Sequence, residues 1–331
     1  MYSVSIIVTL LLATLTELTE ARQQHSKGQS TPFYTNSKHI FELSASNFND
    51  YVYGSNYTTL VEFYAPWCGY CQKLRPDFEA ASKEGHHYAQ FAAINCDEQH
   101  NKAFCHEQGI TGFPTLITYR PPKTFLENKQ RSQQFAVQPY ENDRSSSGII
   151  NAMKGQVKGF TKKVTKKNLD KLFTSYKEIS SSPKVVFFTD SNQVSPMYKS
   201  LAIDYITNIE FFHVLNPNGE YLEMAKKYLS PEFENSEKLQ VPILMVLDPV
   251  NDEIVVYDGE LKKNHISKFL TKFGTPNDGD FSERAEIIKG IKEGSYKSFK
   301  DYRKKKSKAA KAAKAAKTNE QAEPKLVKDE L

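Results

Sequence analysis

Two cysteines separated by two residues stand where an apolar run ends and a helix-forming segment begins. The run Thr59–Tyr64 is typical of a buried strand, and residues 71–86 favour a helix. Cys68 therefore lies at a helix N terminus, where unpaired backbone N–H groups and the helix dipole favour a thiolate. Cys71 lies on the same side of the first helical turn. One sulfur can then form a mixed disulfide with a second molecule while its neighbour resolves it.

Strand-like and helix-like segments alternate along the chain, which predicts an α/β fold. In residues 36–156 we expect strands at 39–43, 59–64, 90–95, 115–119 and 133–137 and helices at 46–53, 71–86, 101–108 and from Ser146. In residues 166–275 we expect strands at 184–189, 209–215, 243–247 and 253–261 and helices at 196–205 and 265–273. The two halves look like divergent copies of one fold, and the second has no cysteine.

The two ends of the sequence carry patterns typical of sorting signals. Val4–Leu15 is a short apolar run followed by Thr19-Glu20-Ala21, so residues 1–21 are predicted to be a signal peptide that is cleaved after Ala21. Residues 328–331 read Lys-Asp-Glu-Leu, which a retrieval receptor recognises as an address for the endoplasmic reticulum. No other run is apolar enough to span a membrane. We therefore expect a soluble protein of the endoplasmic reticulum lumen.

Basic residues are concentrated in the segment 276–331, in which a polar helix is predicted at 281–302. Residues 300–317 contain nine basic residues and one acidic residue, although the net charge of the whole chain is only +5. Such a run is typical either of a segment that binds nucleic acid or of a solvated spacer. Because the lumen contains no DNA, we favour a partly helical spacer that holds the retrieval sequence away from the domains, and we expect no nucleic-acid partner.

The residues around the cysteine pair resemble the active site of protein disulfide isomerases. The matching segment is Leu60-Val61-Glu62-Phe63-Tyr64-Ala65-Pro66-Trp67-Cys68-Gly69-Tyr70-Cys71, with Pro76 and Gly112-Phe113-Pro114-Thr115 further along. The resemblance implies two tandem thioredoxin-like domains, each with a central mixed sheet flanked by helices, of which only the first is redox-active. The chain most resembles the small fungal Mpd type, which has one active and one inactive domain. Tyr70 departs from the family, which usually has histidine there, and this leaves the redox potential open.

The resemblance implies a thiol-disulfide oxidoreductase that forms, reduces or rearranges disulfides in other proteins. The implied substrates are unfolded or misoxidised secretory proteins, and the implied electron partner is glutathione or a thiol oxidase of the endoplasmic reticulum. The disulfide between Cys68 and Cys71 would be the redox group, with no separate cofactor and no metal. A disulfide-linked holdase chaperone with secondary redox activity is the alternative, since the second domain has no thiol.

Two charged residues are candidates for assisting the second cysteine. Glu62 lies inside an apolar strand, where burial raises the pKa of a carboxyl group. The resemblance implies that Glu62 accepts a proton from Cys71, and the alternative is a glutamate that reaches the edge of the sheet. The resemblance also implies that Arg144 approaches the second thiol and lowers its pKa. The alternative for Arg144 is a solvent-facing charge at the start of a helix.

The resemblance further implies a surface that binds substrate around Cys68. Pro114 is expected to follow a cis peptide bond, so that the main chain of Phe113 can pair with an extended substrate strand. Trp67 and Phe113 would add an apolar rim. The other residues predicted to contact substrate are Gly69, Tyr70 and Gly112.

The remaining cysteines bracket the end of a predicted strand and the helix that follows. Because a short loop closed by a disulfide is more often structural than catalytic, we favour a structural bridge between Cys96 and Cys105 over two free thiols. A zinc site is a rival hypothesis, since the four cysteines together with His100 and His106 contain enough ligands. Asn56-Tyr57-Thr58 is a glycosylation sequon in a predicted loop, so Asn56 is a candidate for carrying a glycan.

Overall fold

The computed structural model describes most of the predicted folded region. It covers residues 31–122, 131–215, 219–229 and 240–277, together with residues 287, 290–291, 293–298, 301–302 and 304–309. The predicted signal segment 1–21, the retrieval sequence 328–331 and much of the basic tail lie outside the described residues. Within the described ranges, every helix is too short or too polar to cross a membrane.

The first domain is built around a five-stranded sheet in the order β1-β3-β2-β4-β5. Its strands are β1 (Ile40–Leu43), β2 (Thr59–Tyr64), β3 (Gln90–Asn95), β4 (Thr115–Arg120) and β5 (Ala136–Pro139). Its α-helices are α1 (Gly69–Gly85), α2 (Gln99–Glu107) and α3 (Ser146–Gln156), and Asn49–Tyr53 forms a π-helix. Strands β1, β2 and β3 are parallel, whereas β4 and β5 are antiparallel to their neighbours. All residues of β2 and β3 are buried because these strands are covered on both faces.

The second domain repeats this arrangement. Its strands are β6 (Lys162–Lys163), β7 (Lys184–Thr189), β8 (Glu210–Leu215), β9 (Ile243–Asp248) and β10 (Glu253–Val256). Its helices are α4 (Lys166–Thr174), α5 (Tyr176–Ile179), α6 (Pro196–Asp204), α7 (Glu220–Lys226) and α8 (Lys263–Leu270). The sheet order β6-β8-β7-β9-β10 has the same sequence of parallel and antiparallel pairs as the first sheet. The prediction of two related α/β domains is therefore confirmed.

Some predicted elements differ from the structure at polar positions. The strand expected at 133–137 begins only at Ala136, because Arg131–Gln134 forms a 3-10 turn. The strand expected at 253–261 ends at Val256, before a polar turn that contains Gly259. The prediction of one continuous helix at 281–302 is wrong, because residues 293–298 form a turn in which Gly294 has a φ of +78°. This left-handed conformation is readily adopted only by glycine.

Both ends of the described chain pack against the first domain. Phe33 and Tyr34 lie in or against its core, so the domain begins before the predicted boundary at residue 36. Ile287 is 2% exposed and belongs to the core cluster on the opposite face of the same sheet, together with Phe41. Tyr302, inside the predicted spacer, also packs against that cluster. The segment after residue 276 is thus partly a covering element of the first domain rather than only a spacer.

The two domains contact each other through buried polar groups. The Lys263 ammonium lies 2.8 Å from the Asp204 carboxylate, and both belong to the second domain. The Tyr57 hydroxyl of the first domain donates a hydrogen bond to the other oxygen of Asp204. Lys263 also donates a hydrogen bond of 3.0 Å to the backbone carbonyl of His87. The contact also has an apolar part, because Ile203 packs into the core of the first domain.

Candidate active site

Cys68 caps the N terminus of α1 with its own sulfur. Its backbone is extended, and its Sγ accepts a hydrogen bond of 3.4 Å from the backbone N–H of Cys71. The helix consequently begins at Gly69, two residues before the predicted start. The two thiols are not bonded to each other, and Cys68 is 8% exposed whereas Cys71 is completely buried. An incoming disulfide can therefore reach Cys68 first.

The loop before β4 forms one wall of the site. The peptide bond between Phe113 and Pro114 is cis, and the Cys68 thiol donates a weak hydrogen bond of 3.5 Å to the Phe113 carbonyl. Trp67 packs edge-to-face on Phe113, with 6.1 Å between ring centroids. Trp67 and Tyr70 are 64% and 74% exposed, which is unusual for large aromatic residues. Cys68 is thus surrounded by an apolar rim that is open to solvent.

Glu62 lies on β2, is completely buried and interacts electrostatically with Cys71. Burial raises its pKa to about 8, and a hydrogen bond from the Tyr34 hydroxyl opposes this increase. The Tyr34 hydroxyl lies 2.6 Å from the Oε2 atom of Glu62. Among the described residues, no group donates a hydrogen bond to Oε1. This oxygen is therefore available to take up a proton.

Cys71 lies in the first turn of α1. Burial raises the pKa of its thiol, and the neighbouring Cys68 and the carboxylate of Glu62 raise it further. A buried thiol of this kind remains protonated at neutral pH. It needs a nearby base before its sulfur can attack, and Glu62 is a carboxylate whose charge acts on this thiol.

Comparison with known proteins gives the same assignment as the geometry. Residues 39–138 match the thioredoxin family model. Over 285 residues, the chain is 37% identical to the protein disulfide-isomerase MPD1 of Saccharomyces cerevisiae, covering 79% of this chain and 87% of that protein. The chain belongs to the protein disulfide isomerase family. A second family relative, a putative protein disulfide-isomerase of Dictyostelium discoideum, is 32% identical over 73% of this chain and 54% of its own length.

A solved structure in the same comparison is the crystal structure of full-length ERdj5. It has a TM-score of 0.44 and 15% sequence identity, and the match covers 71% of this isomerase-family chain and 32% of ERdj5.

Arg144 lies in the exposed loop before α3 of this isomerase-family domain. Burial raises the pKa of Glu62, and the Arg144 guanidinium is one of the groups that lower it. Arg144 thus acts electrostatically on the carboxyl group. Its predicted approach to the Cys71 thiol stays a prediction.

Cys96 and Cys105 form a disulfide with 5.9 Å between their Cα atoms. They belong to the core cluster on one face of the sheet, whereas Cys68 and Cys71 belong to the cluster on the other face. The four cysteines therefore do not form a single zinc site, because two of them are bonded to each other and the other two lie on the opposite face of the sheet. Within the described ranges, no group of histidines, cysteines and carboxylates has the geometry of a metal site.

Asn56 lies in the loop before β2 and is half-buried. Thr58, the third residue of the sequon, is buried, and its hydroxyl donates a hydrogen bond of 2.8 Å to the Gln156 carbonyl. The folded sequon is thus held against the end of α3. Attachment of a glycan at Asn56 stays a prediction.

Tyr34 and Glu42 lie next to Glu62 in the structure, and no sequence motif identifies them as site residues. The Tyr34 backbone N–H donates a hydrogen bond of 2.8 Å to Glu42. The polar stretch that contains Tyr34 has no periodic pattern and therefore predicts neither strand nor helix. The pair Phe33-Tyr34 was the available signal, because two adjacent aromatic residues in a polar stretch indicate a segment that is anchored in a core.

Proposed function

We propose that this chain catalyses thiol-disulfide exchange in other proteins, with Cys68 as the nucleophile and Cys71 as the resolving thiol. The observation that carries this proposal is the difference between the two sulfurs. Cys68 lies at the helix terminus beside exposed aromatic residues, whereas Cys71 is completely buried and interacts electrostatically with Glu62. This arrangement supports attack on an external disulfide by one sulfur and internal resolution by the other.

The reaction proceeds in two exchanges. The Cys68 thiolate attacks one sulfur of a substrate disulfide, a mixed disulfide forms, and the second substrate sulfur leaves as a thiolate. Cys71 then attacks Cys68, the bond between Cys68 and the substrate breaks, and the first substrate sulfur leaves with its electron pair. The substrate disulfide is reduced by two electrons as the Cys68–Cys71 bond forms. In the reverse direction the enzyme disulfide oxidises a substrate dithiol.

The proton of Cys71 must leave before its sulfur can attack, and we assign its acceptor as Glu62. This carboxyl group has a pKa of about 8 because of burial, so near neutral pH it exists in both protonation states. A base with a pKa close to the working pH both accepts and returns a proton efficiently. Glu62 therefore serves both directions of the reaction.

The rim of the site supports a broad range of protein substrates. The exposed rings of Trp67 and Tyr70 offer apolar contacts, and the main chain of Phe113 offers hydrogen bonds that do not depend on substrate sequence. Gly69 and Gly112 have open space where a side chain would stand, so substrate backbone can approach closely. The proposed substrates are unfolded or misoxidised secretory proteins.

We also propose that the protein works in the lumen of the endoplasmic reticulum, with glutathione or a thiol oxidase as its electron partner. The buried Cys96–Cys105 bridge supports an oxidising compartment, since disulfides of this kind are rare in the cytosol. Removal of residues 328–331 tests the proposed retrieval: the truncated protein should appear in the medium, and the full chain should remain in the cell. Equal retention of both would contradict this part of the proposal.

The catalytic proposal is tested by reactivation of a substrate with scrambled disulfides. The wild type should restore substrate activity, whereas the double variant Cys68→Ser/Cys71→Ser should not. Cys71→Ser alone should accumulate mixed disulfides, because attack proceeds and resolution does not. If the wild type is no better than the double variant and both prevent aggregation equally, the holdase alternative is favoured instead.

A further inference from the structure

Tyr34 lies outside the segment that matches the thioredoxin family model, and yet its side chain is completely buried in the core of the first domain. The match begins at residue 39. The Tyr34 ring is enclosed by Phe33, Tyr64 and Phe78, whose ring centroids lie within 6.0 Å of its own. A buried phenol usually has a hydrogen-bond partner, and here the partner is the carboxyl group of Glu62.

The segment around Tyr34 is held in place by contacts that do not involve its hydroxyl group. The Tyr34 backbone N–H donates to Glu42 at 2.8 Å, and the Tyr64 hydroxyl donates to the same carboxylate oxygen at 2.8 Å. The backbone N–H of Phe33 donates to the Tyr64 hydroxyl at 2.9 Å. Removal of the Tyr34 hydroxyl would therefore leave these contacts of the segment in place. These backbone and Glu42 contacts hold the segment in place, and the Tyr34 hydroxyl is then positioned to bond with Glu62.

The strand register explains why a tyrosine fits at this position. Glu42, Ala93 and Glu62 are Cα partners on the neighbouring parallel strands β1, β3 and β2. Side chains in such a row point to the same face of the sheet. Between the two acidic residues, Ala93 contributes only a methyl group. Tyr34 bridges the two carboxyl groups on this face, with its backbone N–H on Glu42 and its hydroxyl on Glu62.

We propose that Tyr34 is a positioning residue for disulfide exchange: its hydroxyl holds Oε2 of Glu62 and leaves Oε1 to exchange a proton with Cys71. The inference rests on the function proposed above. Oε1 is buried, and among the described residues it has no hydrogen-bond partner. When Cys71 attacks the mixed disulfide, its proton passes to Oε1. In the oxidising direction the same proton returns to the leaving Cys71 sulfur.

The Tyr34 hydroxyl is one of several groups that together set the pKa of Glu62. Burial raises the pKa of Glu62, the Tyr34 hydrogen bond lowers it, the Glu42 carboxylate raises it and the Arg144 guanidinium lowers it. Tyr64 on the same strand and Cys71 on α1 also interact electrostatically with this carboxyl group. Loss of the hydroxyl removes a donor to the ionised form, so the pKa of Glu62 rises further. Fewer molecules then carry the ionised acceptor at neutral pH.

The test uses the reduced full-length protein and an aromatic disulfide that releases one coloured thiol in each exchange. Rapid mixing then separates attack by Cys68 from resolution by Cys71, and a Cys71→Ser trace identifies the first phase. In Tyr34→Phe the second phase should slow about tenfold, as expected for loss of one hydrogen bond to a charged group, while the first phase stays within about twofold. In a plot of the second-phase rate against pH, the rise on the acid side should move by about one unit to higher pH; this rise is called the acid limb below.

Tyr119→Phe is the matched control. Tyr119 is equally buried in the first domain, and its hydroxyl donates to Gln108 at 3.1 Å in the cluster on the other face of the sheet. Both phases should keep their wild-type rates in this variant. Glu62→Ala provides the reference for complete loss of the acceptor and should slow the second phase more than Tyr34→Phe does.

Equal second-phase rates and equal acid limbs in Tyr34→Phe, Tyr119→Phe and wild type would overturn the inference and leave the proposed function intact. A wild-type trace with no second phase would overturn both. Incorporation of 3-fluorotyrosine at position 34 provides a second test if Tyr34→Phe does not fold. It keeps the size of the ring and makes the hydroxyl a stronger donor, so the acid limb should move to lower pH. An unchanged acid limb with 3-fluorotyrosine would also overturn the inference.

Discussion

Lys263 and Asp204 form an ion pair that is almost completely buried, with side-chain exposures of 6% and 0%. Tyr57 and the backbone of His87, both from the first domain, form hydrogen bonds with the pair. Two charges removed from water are compensated only while both partners are present. The pair therefore makes the contact between the domains specific, because separation of the domains would break two of its hydrogen bonds.

Lys263→Met should destabilise the protein by about 3–5 kcal/mol, because it leaves the Asp204 carboxylate buried without its cation. Unfolding in denaturant, followed by fluorescence of Trp67 and by circular dichroism, measures this loss. The control is Lys262→Met, which removes an ion pair with Glu260 whose side chains are 72% and 61% exposed. The control should leave the free energy of unfolding almost unchanged, because both of its charges are exposed to solvent. Equal effects of the two substitutions would show that the buried pair has no special role.

Cys68 alone should be alkylated rapidly in the reduced protein near neutral pH. Cys68 lies at the helix terminus and is 8% exposed, whereas Cys71 is completely buried. Mass spectrometry of peptides after brief treatment with iodoacetamide locates the label. Cys96 and Cys105 should remain linked under mild reduction that opens the active-site pair. Preferential labelling of Cys71 would reverse the assignment of the nucleophile.

Glu62→Gln should stabilise the folded state increasingly as the pH rises from about 5 to 8. The pKa of Glu62 is about 8 in the folded protein because of burial, against 4.5 for an ordinary glutamate. Between these values the unfolded chain has released a proton that the folded protein still holds, so raising the pH favours unfolding of the wild type. The difference in unfolding free energy between variant and wild type should grow by up to about 1.4 kcal/mol per pH unit.

Glu79→Gln is the control for this pH dependence, because the Glu79 side chain on α1 is 42% exposed and pairs with Arg75. Its unfolding free energy should run parallel to that of wild type between pH 5 and 8. Parallel curves for Glu62→Gln as well would contradict the buried, protonated state of Glu62.

Tyr70→His should raise the reduction potential by about 10–30 mV, where 30 mV corresponds to about 1.4 kcal/mol for a two-electron couple. A cationic imidazole next to Cys68 stabilises the thiolate of the reduced form, and the oxidised form becomes a stronger oxidant. Tyr70 is 74% exposed, so solvent screens part of this interaction. Equilibration with defined glutathione ratios measures the potential, and Tyr70→Phe should leave it unchanged. No difference between the two variants would indicate that the helix terminus alone controls Cys68.

The sequence was most informative where strands are covered on both faces. Strands β2, β3 and β7 have the predicted bounds, because each is a largely apolar run that is buried along its length and bounded by polar turns. The active cysteines were recognisable for a related reason. They lie in a turn between a strand and a helix, so residues close to them in the sequence determine their environment. Prediction was less accurate at β5 and beyond residue 281, where turns rather than hydrophobic periodicity set the boundaries.

Contacts between distant parts of the chain could not be predicted in this way. Lys263 precedes the predicted helix 265–273, and its burial depends on contacts with Asp204 and with His87 of the other domain. Tyr34 sits in a polar stretch, and its approach to Glu62 depends on the register that aligns Glu42, Ala93 and Glu62 across three strands. Such relationships arise from tertiary packing, which a periodic pattern of residues does not encode.

The return of Ile287 to the first domain has a consequence for how the protein is made. The core cluster that contains Phe41 also contains Ile287, so one face of the first domain is completed by residues synthesised after the whole second domain. At about 5–20 residues per second, translation from the end of α3 to residue 287 takes roughly 7–26 s. During that interval the nascent first domain has its cysteine pair but lacks part of its apolar cover, so chaperones on the emerging chain have a defined patch to protect.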